Sequence, residues 1–461
     1  MPPVFDAWRS GAVALDVALA TRASAAELGR RRDTRLAALL DAALRDSPFY
    51  RERMAARRGG APVLADFPAL SKDTLMRHFD AWCTDPQVHL RDVQAFVRDS
   101  ANIAQPFLGR YAVWESSGSS GVPAIFLQDA QALAVNDALE GLRRPARALW
   151  STLLDPWQLG ERMVFVGATG GHFASTVAVE RLRRLNPLHA RALATVSLMQ
   201  PLGAIVDALN RLVPTVIATY PSVALILARE RADGRLRAAP HALWTGGENM
   251  SCGERRVIEA GMGCPVVASY GASEFLALAC ECAHGSLHLN SDWAVLEPVD
   301  ARGLPVAPGG ACATTLLTNL ANHAQPLIRY DIGDRVSFSA VACRCGSSLP
   351  VIAVDGRCDD TLHLGAGPGP RISVVALALS TVLEDEAGLF DFQLRQTGPC
   401  ELLLATPRSG PDQTRLLRRA RDALQAFLAD LGAPPIVIHC RSAEPALRGR
   451  SGKTPRVMAQ V

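Results

Sequence analysis

The sequence Glu115-Ser116-Ser117-Gly118-Ser119-Ser120-Gly121-Val122-Pro123 lies between two short apolar runs, at residues 111–114 and 124–127. Apolar runs of this length, separated by a cluster of serine and glycine, predict two strands with a turn between them. Glycine permits positive φ, so the backbone amides and the serine hydroxyls can face one anion together. The stretch therefore predicts a phosphate-binding loop. A flexible surface hairpin is the alternative that the composition alone allows.

Five further motifs follow along the chain in a fixed order. They are Thr245-Gly246-Gly247-Glu248, Tyr270-Gly271-Ala272-Ser273-Glu274, Tyr330-Asp331-Ile332-Gly333-Asp334, Gly356-Arg357-Cys358-Asp359-Asp360 and Gly452-Lys453. Together with the serine-rich stretch, this series resembles the adenylate-forming (acyl-CoA synthetase) superfamily and is most similar to its phenylacetate-CoA ligase-like branch. The resemblance spans roughly Ser47 to Lys453. One such motif is a weak signal, whereas five in order at compatible spacings are specific.

The composition is that of a large globular chain. Its 461 residues exceed what one hydrophobic core usually organises, so two or three domains are expected. Hydrophobic residues make up 49% of the chain, yet no apolar run is long enough to span a bilayer. Asp6, Arg9 and Asp16 interrupt the apolar residues of the N-terminus, unlike the pattern of a secretory signal. We expect a cytoplasmic protein with no membrane partner.

The charged residues and the cysteines exclude two further classes. The 48 basic and 45 acidic residues are dispersed along the chain, without the basic block that nucleic-acid binding would require. The 11 cysteines are an odd number in a long chain without a signal sequence. They indicate reduced thiols or a metal site more than a disulfide framework.

Strands and helices alternate between residues 130 and 275. Strands are predicted at 164–166, 192–196, 216–219, 243–244 and 266–269, and helices at 129–149, 175–185, 202–212, 222–232 and 253–260. This alternation predicts a mostly parallel sheet covered by helices on both faces. Ligands of such sheets bind beyond the carboxyl ends of the strands, and the motifs at 246–248 and 270–274 both lie there.

The alternation stops after Glu274, which indicates a change of architecture. We expect an α/β fold whose large N-terminal domain, at 1–355, has parallel sheets flanked by helices, together with a β subdomain at about 276–355. Residues 356–461 are predicted to form a small, mobile α+β C-terminal domain. Its predicted elements are strands at 402–405 and 436–439 and a helix at 412–430.

The resemblance implies a reaction in two steps. A substrate carboxylate attacks the α-phosphorus of ATP and expels pyrophosphate, and a second nucleophile then displaces AMP. Because the first nucleophile is already an anion, this step needs charge neutralisation and alignment rather than a general base.

The first two motifs would contact the phosphates and a metal ion. The loop would hold the β and γ phosphates through the amides and hydroxyls of Ser116, Ser117, Gly118, Ser119, Ser120 and Gly121. Ala124 stands where the superfamily often has a lysine, which much of the phenylacetate-CoA ligase-like branch also lacks. Glu274 would hold Mg²⁺, with Ser273 in place of the usual threonine, and an ordinary surface glutamate is the alternative.

The nucleoside would be held by the middle motifs. Tyr270, followed by Gly271, would stack on the adenine, and Gly247 and Glu248 would line the purine and the acyl pocket. Asp334 would accept hydrogen bonds from the ribose hydroxyls, because an acceptor-only side chain suits a vicinal diol.

The remaining motif residues connect the two domains. Arg357 would add a ribose or phosphate contact, and Asp359 would be the hinge about which the C-terminal domain rotates between the two steps. Lys453 would stabilise the transition state through its ammonium group. A nucleotide-kinase P-loop, the rival interpretation of Gly-Lys-Thr, requires a glycine where Leu447 stands and is rejected. Asp331 replaces the usual arginine of its motif, a departure that the sequence does not explain.

A second group of residues has the donor types of a zinc site. Cys280-Glu281-Cys282-Ala283-His284-Gly285-Ser286-Leu287-His288 is followed by Cys343-Arg344-Cys345-Gly346. Two close cysteines, a histidine and a second cysteine pair match tetrahedral Zn²⁺. The resemblance selects Cys282, His288, Cys343 and Cys345, with Cys280 as an alternative to Cys282. Such a site would be structural, and reduced cysteines without a metal are the other interpretation.

The acid and the acceptor are less closely defined. His172 and Tyr220 lie at predicted strand ends and would contact the acid, although a lone histidine is more often structural. The leading hypothesis is an acid:CoA ligase acting on an aromatic or similar carboxylate. A glycine-rich run at 365–371 replaces the superfamily's loop on the thiol-binding face, so an amine or a carrier protein is the alternative acceptor. A non-catalytic nucleotide-binding protein on the same fold is the third hypothesis.

Overall fold

The fold is described from a computed structural model of the chain. It describes residues 3–55, 60–116, 123–144, 160–198, 200–310, 312–357, 362–365, 372–374, 376–447 and 454–459. Within these residues no helix is both long and apolar enough to cross a bilayer.

Helices form the N-terminal region. They are α1 (Ala7–Ala20), α2 (Ala25–Asp46), α3 (Pro48–Met54), α4 (Lys72–Arg77), α5 (Phe79–Trp82) and α6 (Leu90–Arg98). Ser24 begins α2, because its hydroxyl accepts a hydrogen bond of 3.3 Å from the amide of Glu27. Pro48 cannot continue α2, but its fixed φ suits the first position of α3.

The serine-rich stretch connects two paired strands, as the flanking apolar runs predict. Strands β1 (Ala112–Glu115) and β2 (Ile125–Gln128) are antiparallel, and Glu115 pairs with Ile125. Both strands are largely buried in the main hydrophobic core. The turn between them is therefore fixed at both ends.

The rest of the N-terminal part is built on a large mixed sheet. Its helices are α7 (Ala130–Leu142), α8 (Ala174–Leu185), α9 (Pro187–Ala192), α10 (Leu202–Leu212), α11 (Pro221–Ala232) and α12 (Cys252–Met262). Its strands are β3 (Met163–Gly167), β4 (Leu193–Ser197), β5 (Val216–Thr219), β6 (Ala242–Thr245), β7 (Val266–Ala272), β8 (Phe275–Glu281), β9 (Leu287–Leu289), β10 (Ala294–Val299), β11 (Thr314–Asn319), β12 (Leu327–Asp331), β13 (Asp334–Phe338) and β14 (Val351–Arg357).

The sheet has the strand order β13-β14-β9-β8-β7-β6-β5-β3-β4. Strands β3 to β7 pair in parallel, whereas β8, β9, β13 and β14 are antiparallel to their neighbours. The predicted parallel sheet is confirmed for the first five strands. The helices between them bury apolar side chains against the strands, as the alternation requires.

Residues 276–355, predicted as a β subdomain, supply strands to two sheets. Strands β8, β9, β13 and β14 extend the large sheet, and β10, β11 and β12 form a separate three-stranded sheet. The side chains of both sheets contribute to the main core. Strand β14 also continues through the predicted domain boundary at 355/356, since it ends at Arg357.

The C-terminal part has its own hydrophobic core. It contains β15 (Leu362–Leu364), β16 (Ile372–Val374), α13 (Ala376–Asp385), β17 (Gln393–Gly398), β18 (Glu401–Ala405), α14 (Pro411–Asp430), β19 (Val437–Arg441) and β20 (Val457–Met458). The last four strands form a sheet in the order β19-β18-β17-β20, against which the apolar face of α14 packs. The predicted strands at 402–405 and 436–439 and the helix at 412–430 lie at these positions.

Gly271 occupies a position where the backbone of the next strand comes very close. The register of β7 against β8 shifts between Tyr270 and Ala272, so β8 has two extra residues opposite Gly271. A Cβ atom built on Gly271 would lie 1.8 Å from the carbonyl oxygen of Leu276. Only glycine therefore allows the two strands to approach here without a backbone shift.

Gly271→Ala is expected to lower the free energy of unfolding by about 1–3 kcal/mol, because the strands must move apart. Gly29→Ala is the matched control, since a Cβ atom at that helical glycine meets nothing within 4 Å. The control is expected to keep or raise stability, by up to about 1 kcal/mol. Urea denaturation measures both changes, and equal stability of the Gly271 variant and the parent would contradict the packing described.

Candidate functional site

Tyr270 and Asp334 form the centre of the candidate site. The Tyr270 hydroxyl donates a hydrogen bond of 2.7 Å to Oδ2 of Asp334. Tyr270 lies on β7 and Asp334 begins β13, and three strands separate β7 from β13 in the sheet. Four strand spacings cover roughly 19 Å in a flat sheet, so this half of the sheet must curl strongly to bring the two side chains together. Two predicted site residues from different motifs thus meet.

The turn that carries Glu274 is anchored on both sides. Ala272 pairs with Phe275, so Ser273 and Glu274 form the two-residue connection between β7 and β8. The buried Trp114 indole donates a hydrogen bond of 2.7 Å to the carbonyl oxygen of Ser273, and Asn319 Nδ2 donates one of 2.9 Å to that of Glu274. The Glu274 side chain is half-buried at this fixed turn.

Ser116 closes the base of the serine-rich loop. Its amide donates a hydrogen bond of 2.8 Å to the carbonyl oxygen of Ala124, and its hydroxyl accepts one of 2.9 Å from the Ala124 amide. Because Trp114 is two residues earlier and contacts Ser273, the base of the loop lies close to the Glu274 turn. The other predicted phosphate contacts, Ser117, Gly118, Ser119, Ser120 and Gly121, lie outside the described residues.

Glu248 connects three parts of the chain. Its Oε2 accepts a hydrogen bond of 3.0 Å from the Ser222 amide in the first turn of α11, where a carboxylate also interacts favourably with the helix dipole. Its Oε1 accepts one of 3.1 Å from the Thr454 amide. Gly247 precedes it with φ of 78°. The predicted lining of the purine and acyl pocket by these two residues stays a prediction.

Asp331, which stands where the superfamily usually has an arginine, has a local structural role. Its Oδ1 accepts a hydrogen bond of 2.9 Å from the Gly333 amide and a second from the Thr314 hydroxyl. These contacts close the turn before Asp334, in which Gly333 has φ of 71°. The Asp-x-Gly sequence is a signal for such a turn and could have identified this role.

The C-terminal site residues are only partly described. The register of β13 and β14 places Arg357 directly opposite Asp334, and the Arg357 side chain lies outside the described part. Asp359 and Lys453 also lie outside it. Their predicted roles stay predictions.

His172 is buried, and its contact with an acid substrate stays a prediction. The ring is 1% exposed, its Nε2 lies 3.2 Å from the carbonyl oxygen of Asp99, and its Nδ1 lies 3.4 Å from that of Val113. The ring also packs edge-on against Phe96. Both nitrogens thus face backbone carbonyls rather than a cleft, which favours the structural alternative.

Tyr220 is also buried, at the start of α11. Burial and, to a lesser extent, the charge of Glu248 raise the pKa of Tyr220 to about 12. Its hydroxyl is therefore protonated at neutral pH. A contact between Tyr220 and an acid substrate stays a prediction.

Cys282, His288, Cys343 and Cys345 form a compact cluster. Their potential ligand atoms all lie within 4.8 Å of one another. The Cys282 and Cys343 sulfurs are 3.6 Å apart, and the Cys345 sulfur is 3.3 Å from His288 Nε2. Zn–S and Zn–N bonds of about 2.3 and 2.0 Å place tetrahedral ligands about 3.4–3.8 Å apart. The donor set and its spacing therefore fit zinc.

Surrounding groups orient these four ligands. His288 Nδ1 lies 2.9 Å from the Leu349 carbonyl oxygen, an arrangement that places the proton on Nδ1 and directs the Nε2 lone pair into the cluster. A hydrogen bond with Ser286, followed by bonds with Cys345 and His288, lowers the pKa of the Cys343 thiol to about 5. A thiolate is the form that binds a metal.

The cluster also decides between the two candidate cysteines of β8 and the turn that follows. Cys282 is a member, whereas Cys280 is not within the group. Burial raises the pKa of Cys280 to about 12, so it remains a neutral thiol. The Cys282 sulfur, in contrast, accepts a hydrogen bond of 3.4 Å from the backbone amide of His284.

No family model matches the chain. Over 181 residues it is 30% identical to a phenylacetate-coenzyme A ligase of Thermus thermophilus. This match covers 37% of the chain and spans only 40% of the relative's length.

Solved structures match over a greater length. A 2-hydroxyisobutyryl-CoA ligase in the postadenylation state, in complex with R3-HIB-AMP, has a TM-score of 0.68 at 20% identity and covers 95% of this chain and 91% of its own. The same enzyme in the thioesterification state, in complex with 2-HIB-AMP and CoA, has a TM-score of 0.56 at 19% identity over 95% and 91% of the two chains. The chain thus has the fold of these ligases, with the higher TM-score against the postadenylation structure. The sequence match to a phenylacetate-coenzyme A ligase and the fold match to CoA ligases agree with the resemblance that the motifs indicate.

Proposed function

We propose that this chain is an adenylate-forming ligase that activates a carboxylic acid with ATP and Mg²⁺ and transfers the acyl group to CoA. The observation that carries the proposal is the hydrogen bond between Tyr270 and Asp334, because it unites two motifs separated by 64 residues. An aromatic ring and a carboxylate, side by side, are suited to a base and a ribose. The match to a phenylacetate-coenzyme A ligase and the fold of CoA ligases support the same assignment.

Asp334 would bind the ribose and Tyr270 would keep it oriented. The tyrosine hydroxyl donates to one carboxylate oxygen, which limits rotation of the Asp334 side chain. The ribose hydroxyls would then meet a carboxylate that is already in place. Such preorganisation reduces the free energy that nucleotide binding spends on ordering side chains.

Glu274 would hold Mg²⁺ next to the serine-rich loop. A half-buried carboxylate at a fixed turn fits this ion, which is usually held by one or two carboxylates, substrate phosphates and water. When bound, the ion would neutralise charge on the phosphates as pyrophosphate leaves. The chain's own part is to hold the carboxylate and the base of the loop together, through the contact of Trp114 with Ser273.

Lys453 would supply the positive charge at the reacting phosphate. It is one of two lysines in the chain, the other being Lys72 in α4. The next residue, Thr454, donates its amide to Glu248, and this contact supports a position for Lys453 at the edge of the nucleotide site. No general base is required, since the attacking carboxylate is already ionised.

The acid would be aromatic and the acceptor would be CoA. The similarity to a phenylacetate-coenzyme A ligase supports both, whereas the ligase of similar fold is named for an aliphatic hydroxy acid, 2-hydroxyisobutyrate. Transfer to an amine or a carrier protein is the alternative for the second step. A non-catalytic nucleotide-binding protein is the alternative for the whole chain.

We also propose that Cys282, His288, Cys343 and Cys345 hold a structural zinc ion. Four protein ligands would fill the tetrahedral shell, so no position would remain for a substrate. The ion would join the end of β8 and the start of β9 to the loop before β14. It would therefore stabilise the curled half of the sheet, which carries Asp334.

Pyrophosphate release tests the activity. With ATP, Mg²⁺ and a panel of aromatic and aliphatic acids, the parent is expected to release pyrophosphate only when a substrate acid is present. Lys453→Ala is expected to lose about a hundredfold or more in kcat, because the charge at the transition state is removed. Lys72→Ala, the matched lysine control, is expected to keep the parent rate.

Assays with and without CoA separate the acceptors, because a CoA ligase turns over repeatedly only when the thiol is added. A Lys453→Ala variant that turns over as fast as the parent would contradict the proposed mechanism. Absence of acid-dependent pyrophosphate release from the parent would favour the non-catalytic alternative.

Metal analysis tests the zinc site. Purified parent is expected to contain one zinc ion per chain, and Cys282→Ser is expected to lose it together with thermal stability, because the folded state no longer gains metal-binding free energy. Cys280→Ala is the matched control within the same segment and is expected to retain the metal. Parent protein without zinc, or loss of zinc in the Cys280 variant alone, would contradict the assignment.

A further inference from the structure

Arg456 lies three residues after Lys453, at a fixed position in the C-terminal part. Its carbonyl oxygen accepts a hydrogen bond of 2.7 Å from the Leu394 amide. The next residue, Val457, pairs with Leu394 as β20 joins β17 in parallel. The backbone of Arg456 is thus part of the C-terminal sheet.

The Arg456 side chain contacts two buried carboxylates. Its Nη1 lies 3.2 Å from Oε2 of Glu254 and 2.5 Å from Oε1 of Glu384, and both carboxylate side chains are 0% exposed. Glu254 lies in α12 of the N-terminal part, and Glu384 lies in α13 of the C-terminal part. We call Arg456, Glu254 and Glu384 the Arg456 clamp.

Further contacts fix the guanidinium between the two helices. Its Nη2 donates a hydrogen bond of 3.0 Å to the Phe390 carbonyl oxygen, and its central carbon lies 4.3 Å from the centre of the Phe392 ring. Ser251 links the Glu384 carboxylate to the backbone of Glu254, since its hydroxyl donates to Glu384 and accepts a hydrogen bond of 3.0 Å from the Glu254 amide. The cation therefore has one defined position.

The charges of the Arg456 clamp favour one arrangement of the N-terminal and C-terminal parts. Two buried carboxylates on facing helices repel each other unless a cation lies between them. Burial is also the largest cause of the raised pKa of Glu254, about 7, and the charges of Glu384 and Glu248 add to it. In this arrangement the cation offsets the cost of burying the two carboxylates, and Glu254 would lose that cation if the C-terminal part turned away.

The segment is held to the N-terminal part at a second point. The Thr454 amide donates to Oε1 of Glu248, next to Gly247 in the motif that leads to the nucleotide site. Thr454 and Arg456 thus bind carboxylates of the N-terminal part on either side of Pro455, directly after Lys453. The residues that directly follow Lys453 in the chain are therefore held at two points of the N-terminal part.

We propose that Arg456 is a positioning residue that, through Glu254 and Glu384, fixes the arrangement of the two parts in which Lys453 serves the adenylation step. This inference rests on the proposed function and deepens it. The higher TM-score against the postadenylation structure than against the thioesterification structure agrees with a clamp that forms in the first of the two states. The clamp must open if the C-terminal part turns for the transfer step, so it contributes to one half-reaction only.

The two half-reactions are measured separately. Adenylation is followed as pyrophosphate release from ATP and the acid that the parent accepts, and transfer is followed as thioester formation from added acyl-AMP and CoA. Arg456→Ala is expected to lower kcat of pyrophosphate release about 10- to 100-fold, because a small displacement of Lys453 is costly. The KM for ATP and the rate of transfer are expected to stay within about threefold of the parent, since neither depends on the clamp.

Two further variants separate positioning from folding. Glu384→Gln keeps the shape of the side chain and is expected to change the same half-reaction, whereas Arg456→Lys keeps the charge and is expected to recover part of the rate. Arg229→Ala is the matched control, because it removes another ion pair between the two parts, to Asp391 at 2.5 Å, that is partly exposed. This pair is more accessible to water than the pairs of Arg456, so the control is expected to keep adenylation within about threefold.

The outcomes distinguish the inference from the function on which it rests. Equal loss of both half-reactions in Arg456→Ala, no loss in either, or the same loss in Arg229→Ala would overturn the positioning role while leaving the ligase activity intact. A parent that releases no pyrophosphate with any acid would overturn the proposed function, and the positioning role with it.

Discussion

The candidate site depends on the curl of the nine-stranded sheet, which the hydrogen bond between Tyr270 and Asp334 closes. The parallel half supplies loops at its carboxyl ends, including the one that carries Glu248. The antiparallel half bends back until its edge strand, β13, faces β7. Gly271 permits the close hairpin at one end of this bend, and the turn held by Asp331 orients Asp334 at the other. The Glu274 turn and the base of the serine-rich loop are fixed relative to the same strands.

Much of the fold follows from local patterns in the sequence. The predicted strands and helices between residues 163 and 272 begin and end within a few residues of the observed ones, because period and turn residues are local properties. For residues 276–355 the sequence predicted a β subdomain but not the division of its strands between two sheets. Short antiparallel strands carry little information about their partners, and β9 joins β14 across more than sixty residues of intervening chain. Which of these strands extend the large sheet is decided by side chains distant in sequence.

The site could be predicted where a motif carries its own chemistry. The motifs pointed to Tyr270 and Asp334, which the structure brings into contact, and the ligand types pointed to a Cys/His cluster that contains Cys282 and not Cys280. The burial of His172 could not be predicted, because its carbonyl partners, Val113 and Asp99, are 59 and 73 residues away and have no sequence signal. The Arg456 clamp was missed for the same reason. Its three charges come from two separate helices and the segment before β20, and each alone resembles an ordinary surface residue in the sequence.

Nucleotide binding tests whether Asp334, oriented by Tyr270, binds the ribose hydroxyls. Titration calorimetry compares ATP with 2′,3′-dideoxy-ATP in the parent and in Asp334→Ala. The parent is expected to bind the dideoxy nucleotide about 10- to 100-fold more weakly, because a hydrogen bond to a carboxylate contributes about 1.5–3 kcal/mol. The variant is expected to bind the two nucleotides with similar affinities. Equal affinities in the parent, or full discrimination in the variant, would contradict the account.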